Sequence, residues 1–240
     1  MMATTTQLPR RAALVVAAMV VAFACTSALG ATLNTRPVPI NGASLQAYFD
    51  FVGQTINVNT DQEGNALWTT TVSGNSTFTL QLELTGNASQ NAVGIYNDGA
   101  PGTLFQIFPG NAAPGWFAIA SFDVGIPGRV VVNLFDDNAV LQSSTSYLGV
   151  NSGDFGFYLS NATGATYYSE DDENAGGAPQ NVVYAATGTS KGSWWLAWED
   201  SSYSTGDRDF DDLVMFLESV NLPSPVQATS WGAIKSLYKR

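Results

Sequence analysis

Between Glu199 and Asp212 the chain gathers six acids and one base in fourteen residues: Glu199, Asp200, Asp207, Asp209, Asp211 and Asp212, with Arg208 among them. Six carboxylates in one short loop repel one another unless a cation neutralises them. The chain has no His, and its one Cys is Cys25, so oxygen ligands are all this loop can offer. Hard carboxylate oxygens select Ca²⁺ over transition metals. The spacing of Asp207, Asp209 and Asp211, with Glu218 further on, imitates an EF-hand. Two points argue against one. Asp212 stands where the EF-hand turn needs Gly, and the apolar run Leu213–Leu217 carries Glu218 roughly 20 Å from Asp212 if it is a strand. The better partners are Glu199 and Asp200, at the end of the preceding apolar run. Asp207, Asp209 and Asp211 are expected to supply side chains, with Glu199 or Asp200 closing the shell. At least one of the six is expected to point away, and Asp212 is able to cap the turn instead. The competing chemistry is a glycosidase pair made by Glu199 and Asp200, which nothing else in the segment supports.

That loop can converge only if its flanks meet. Trp194–Glu199 and Asp212–Leu217 are expected to pair antiparallel, bringing both ends of the loop together. Trp194, Leu196 and Trp198 alternate with Trp195, Ala197 and Glu199. This reads as a core strand buried on both faces; the alternative is an aromatic platform for a sugar, with Trp195 beside the loop. Upstream, further short runs bounded by Gly, Asn, Pro and Ser read as strands: 67–72, 76–84, 93–96, 104–108, 116–122, 129–135, 155–159, 166–168 and 181–186. In 76–84, Phe78, Leu80, Leu82 and Leu84 share one face, and Thr77, Thr79, Gln81 and Glu83 the other. Leu45, Tyr48, Phe49 and Val52 recur at helical spacing, which predicts a helix from Ser44, its N-cap, to Val52, ended by Gly53. Many strands and one short N-terminal helix indicate an all-β fold, an antiparallel sandwich or jelly roll. A second acidic stretch, Glu170 to Gly177, is expected to be solvated, with a weak second calcium site as the alternative.

The 240 residues carry 20 acids against 9 Lys and Arg, a formal net charge of −11. Such a balance argues against nucleic acid and anionic lipid as partners. The lack of His removes His-based triads and nearly all zinc sites. Arg10 and Arg11, the uncharged run Ala12–Cys25 and the small residues before Ala31 match a secretory signal peptide over 1–30. About 14 apolar residues fall short of the roughly 20 that a membrane span needs. The expected organisation is a signal over 1–30, one β-sandwich domain over 31–220, and a linker with a short basic amphipathic tail over 221–240. All 20 acids then fall in the β domain, against Arg36, Arg129, Lys191 and Arg208. An exported chain without disulfides gains rigidity from a bound divalent cation.

The run Trp198-Glu199-Asp200, a gap, then Gly206-Asp207-Arg208-Asp209-Phe210-Asp211-Asp212-Leu213-Val214 resembles the signature of a secreted bacterial module, domain of unknown function 4114. Trp198 stands where that family usually has Phe, and Asp211 where it has Asn; both keep the chemistry. The approach is also similar: Gly156-Phe157-Tyr158-Leu159, Tyr167-Tyr168-Ser169, Asn174 and Val182-Val183-Tyr184, with Gln180-Asn181 where relatives often show a His. The resemblance spans roughly 149–220. It implies a β-sandwich with a calcium site and no established activity. The functional expectation is a secreted, calcium-binding module with a non-catalytic binding, adhesion or structural role, its partner a glycan or a cell-surface or matrix component. The alternative is a carbohydrate-active enzyme, a glycosidase or lyase, using the acidic cluster.

Overall fold

The computed structural model describes residues 37–223, apart from 65, 72, 84–87 and 124. The expected signal segment and residues 224–240 of the expected tail lie outside them. One α-helix, α1 (Ala43–Phe51), precedes the strands β1 (Gln62–Glu63), β2 (Leu67–Thr70), β3 (Asn75–Leu82), β4 (Ala92–Asn97), β5 (Ala100–Phe108), β6 (Phe117–Phe122) and β7 (Val130–Phe135). Then follow β8 (Leu141–Tyr147), β9 (Phe155–Ser160), β10 (Thr166–Tyr168), β11 (Asn181–Ala185), β12 (Trp194–Trp198), β13 (Leu213–Glu218) and β14 (Val220–Asn221). An eight-stranded sheet runs β1-β11-β12-β13-β3-β6-β7-β8. A second sheet runs β14-β2-β9-β4-β5, with β10 paired to β9. Every named pairing is antiparallel. The all-β architecture is the one the alternating runs require.

The sheets meet over one apolar core. Phe78, Leu80, Ala118, Val130, Leu196, Trp198 and Met215 from the larger sheet pack with Trp68, Val93, Ile95, Phe155, Phe157 and Leu159 from the smaller. Phe78 and Phe157 touch edge to face across the gap, their ring centroids 5.5 Å apart. A second core lies on the outer face of the larger sheet, under α1. Leu45 and Phe49 of the helix pack there on Val182, Tyr184, Trp195, Ala197 and Val214, with Phe210 of the acidic loop. Strands β11, β12 and β13 are therefore covered on both faces, and period-2 alternation divides their side chains between two cores. Trp195 is 5 % exposed. Its ring is enclosed by Phe49 at 5.4 Å and Phe216 at 4.7 Å between centroids. This rules out Trp195 as an open sugar platform.

The helix start differs from expectation. Ser44 lies inside α1; Gly42 holds the N-cap position and no side chain caps it. Gly42 itself is closely packed: a Cβ there would come within 2.7 Å of Ile40 Cδ1 and 3.0 Å of Val58 Cγ2. At the other end Gly53 adopts φ 75°. The Gly53 N–H donates to Asp50 O, and the Gln54 N–H donates to Phe49 O at 2.8 Å, a Schellman closure that only a left-handed residue permits cheaply. The strands missing from the sequence reading are β1, β8 and β14. All lie at sheet edges, and β8 is polar and exposed over nearly its whole length.

Candidate metal centre

Strands β12 and β13 pair from Trp194 with Leu217 to Trp198 with Leu213. The loop between them therefore leaves and re-enters the sheet at adjacent points. Gln180, just before β11, ties the exit: its backbone carbonyl accepts the Glu199 N–H at 3.0 Å. Its side-chain amide donates to Ser201 O at 2.7 Å and accepts the Tyr203 N–H at 2.7 Å. Asp212 closes the entry, one oxygen accepting the Asp200 N–H at 2.8 Å. The tip is held from outside. The Asn41 N–H donates to Arg208 O at 2.7 Å, the Asn41 amide donates to Asp207 O, and the Tyr203 hydroxyl donates to Pro39 O. Arg208, the loop's one cation, is spent on Tyr203: its guanidinium sits 4.5 Å from the ring centroid and its Nε donates to Tyr203 O. A shallow cleft of about 310 Å³ lies between the 39–41 strap and Gly206, Asp207 and Arg208.

The backbone of the acidic run makes the carboxylates converge. Arg208 and Phe210 take φ values of 64° and 56°, the left-handed region that non-glycine residues rarely occupy. Phe210 is fully buried in the helix-side core. Asp209 and Asp211, on either side of that anchor, keep their carboxylates on a common side. Carboxylate oxygens of Glu199, Asp207 and Asp209 all lie within 4.8 Å of one another, and so do those of Asp209, Asp211 and Asp212. Asp209 belongs to both groups. Gly206 makes room at the centre, since a Cβ there would collide with Glu199 Oε1. Asp200 belongs to neither group. Its side chain faces Asn91, whose amide donates to Asp200 Oδ2 at 3.0 Å. Glu218 is exposed at the far end of β13, away from the loop.

The electrostatics are those of negative charge held together without a compensating cation among the described residues. Burial, then the Asp212, Asp207 and Asp209 carboxylates, push Glu199 up to about 8, against a smaller opposing effect of the Arg208 N–H. Burial raises Asp212 to about 7, with Asp200, Asp209 and Asp207 adding to it, although the Asp200 N–H works the other way. Burial likewise raises Asp209 to about 6, helped by Asp211 and Asp207. Glu199 is 1 % exposed, and its Oε2 is buried without a hydrogen-bond partner. An orphaned oxygen of this kind costs about 1–3 kcal/mol unless a ligand meets it. The donor set is all oxygen and rich in charge, so the residues present fit a hard divalent cation.

Several supporting groups escape sequence reasoning. Asn91 and Asn41 reach the site from 109 and 166 residues away along the chain. Gln180 is marked only by standing where the resembling family often shows a His, which does not reveal that it ties the loop. Gly206 stands in the run that resembles the family signature, but its role in leaving room for the Glu199 carboxylate shows only in the structure. The chain matches no family model and no curated protein sequence.

Proposed function

We propose that this is a calcium-binding β-sandwich module, exported from the cell, with a non-catalytic binding, adhesion or structural role at a surface or in an extracellular matrix. It would belong with the secreted modules whose Glu-Asp and Gly-Asp-x-Asp signature it resembles. The observation that carries the reading is the unpartnered Glu199 Oε2, buried where the Asp207 and Asp209 carboxylates converge. Glu199, Asp207 and Asp209 would hold the ion, with Asp211 and Asp212 completing the negative field around it. The ion would supply positive charge that no side chain provides there. It would tie the end of β12 to the loop and, through Asn41 and Tyr203, to the segment leading into α1.

Burial favours ligation over acid–base catalysis. Glu199 and Asp200, the pair that a glycosidase or lyase would need, are 1 % and 2 % exposed, and Asp200 is engaged with Asn91. A polymer substrate could reach neither. Asp207, by contrast, is exposed beside the cleft under Pro39 and Asn41, which suits an ion shared with a ligand hydroxyl. A melting curve with and without a chelator tests the metal, and a glycan array under the same two conditions tests the role. Calcium-dependent binding without turnover is expected. Product release abolished by Glu199→Gln would overturn the non-catalytic reading.

A further inference from the structure

The segment leading into α1 is held at both ends by groups remote from the acidic loop. At its start the Val38 N–H donates to Gln62 Oε1 at 2.8 Å, and Gln62 Nε2 donates back to Val38 O at 2.9 Å. Past the helix, the Thr187 N–H donates to Gln54 Oε1 at 2.7 Å and the Thr55 N–H to Thr187 Oγ1 at 2.9 Å. Gln46, inside the helix, accepts the Val58 N–H at 3.1 Å and donates to Ile56 O at 2.8 Å. The stretch between these anchors depends on the loop. The Tyr203 hydroxyl donates to Pro39 O, and Asn41 gives its N–H to Arg208 O and its side-chain amide to Asp207 O. Asn41 is exposed, so burial does not fix it. The start of α1 hangs on the same residue: no side chain caps the helix, and the Ala43 N–H donates to Asn41 O at 2.7 Å.

The carbonyls that receive Asn41 lie in the backbone that brings the Asp207 carboxylate to Glu199 and Asp209. Without a cation those carboxylates repel one another, and Arg208 must keep its left-handed φ of 64° against that repulsion. An ion that draws them together fixes both carbonyls where Asn41 meets them. We propose that the loop's cation is a latch on residues 39–43. With the ion bound, the strap and the first turn of α1 are closed on the loop. With the ion gone they open, while Val38 and the end of the helix stay seated. The cleft beside Asp207 is walled by Pro39, Ile40 and Asn41, so the same ion sets that wall. The latch rests on the loop binding calcium. Linkage also makes it reciprocal: the strap strengthens the hold on the ion as much as the ion strengthens the strap.

Amide hydrogen exchange on the full chain, with calcium calorimetry on the same samples, tests the latch. In chelator the Asn41 and Ala43 amides should exchange at close to the unprotected rate, while the Gln54 and Val58 amides keep their protection. At ten times the dissociation constant, openings that need the ion to leave become roughly tenfold rarer, and exchange at Asn41 and Ala43 should slow by that factor. Asp209→Ala in calcium should behave as the wild type does in chelator. Asn41→Ala, which removes the bond to Asp207 O, should weaken calcium binding roughly fivefold. Calcium bound by calorimetry, with equal protection of Asn41 and Ala43 in calcium and in chelator, overturns the latch and leaves the loop centre standing. Loss of protection at Gln54 and Val58 together with Asn41 is a loosening of the whole domain and also overturns it, as does an unchanged affinity in Asn41→Ala. A calorimeter that detects no calcium binding overturns the loop centre itself, and the latch with it.

Discussion

The chain carries two acidic loops of similar composition, and the fold treats them differently. Residues 170–173 hold four acids in a row, as dense a run as any in the 199–212 loop. In the first loop Asp172 and Glu173 are exposed on a short 3-10 turn. Asn174 closes the turn, accepting the Tyr168 N–H at 2.8 Å and donating back to Tyr168 O. Glu170 alone is buried, and its carboxylate is met by the Tyr96 hydroxyl at 2.9 Å. In the second loop the acids are drawn together around a Glu199 oxygen that no group among the described residues meets. Acid density therefore does not make a metal centre. What sets the second loop apart is convergence on an unsatisfied buried carboxylate, which depends on Phe210 anchoring the loop from behind and Gly206 leaving space in front.

The anchor is the place to break the contrast most severely. Phe210→Ala should destabilise the protein by about 3–5 kcal/mol, the range for emptying a buried aromatic site, and should disperse the carboxylates as well. Chemical denaturation and calcium titration on the same variant check both effects. Gly206→Ala is narrower. Gly206 does not need the left-handed region, so its penalty is steric and falls on the Glu199 carboxylate. Calcium affinity should drop roughly tenfold, about 1.4 kcal/mol, with the rest of the fold intact by circular dichroism. An unchanged affinity would remove Glu199 from the ligand set.

A pH series sharpens the same comparison. Burial, then Asp98, Glu173 and Asp154, raise Glu170 to about 7 against the lowering hydrogen bond from Tyr96. Its pKa in the unfolded chain is about 4.5. The folded state thus holds the proton more tightly, and the stability this confers is complete below about pH 4.5 and lost as pH rises through 7. In chelator the melting temperature should fall between pH 5 and pH 8, and Glu170→Gln should lessen the fall. Calcium should leave the Glu170 contribution untouched, because that loop binds no ion in this account. The smallest effect belongs to Asp172→Asn, which should change neither melting nor calcium binding.

Alternation made the interior strands legible. The β12–β13 register could be anticipated because apolar runs on both sides of the loop had to meet, and the double burial of β12 followed from its unbroken apolar composition. β8 was illegible: its residues, Leu141 to Tyr147, are mostly polar, and an edge strand buries too little to impose a pattern. At the site, acid density marked the loop and spacing put Asp207, Asp209 and Asp211 first, but sequence could not decide between Glu199 and Asp200 for the remaining ligand. That Asp200 turns from its neighbours depends on Asn91, more than a hundred residues earlier. The N-cap of α1 falls two residues before Ser44, which looks like a cap in sequence but lies inside the helix, with no side chain capping Gly42.

The central claim is that the 199–212 loop binds calcium through its converging carboxylates. Thermal unfolding in calcium and in chelator, on the wild type and on Asp209→Ala, tests it most directly. Extracellular modules bind calcium at about 10⁻⁴–10⁻³ M. At ten times the dissociation constant the ion should add about 1.4 kcal/mol, a rise of roughly 3–5 °C for a domain of this size. Asp209 is the residue common to both carboxylate groups, so Asp209→Ala should remove most of that rise, while Asp137→Ala, in the exposed turn after β7, should keep it. A wild-type melting curve indifferent to millimolar calcium and to chelator would contradict the account.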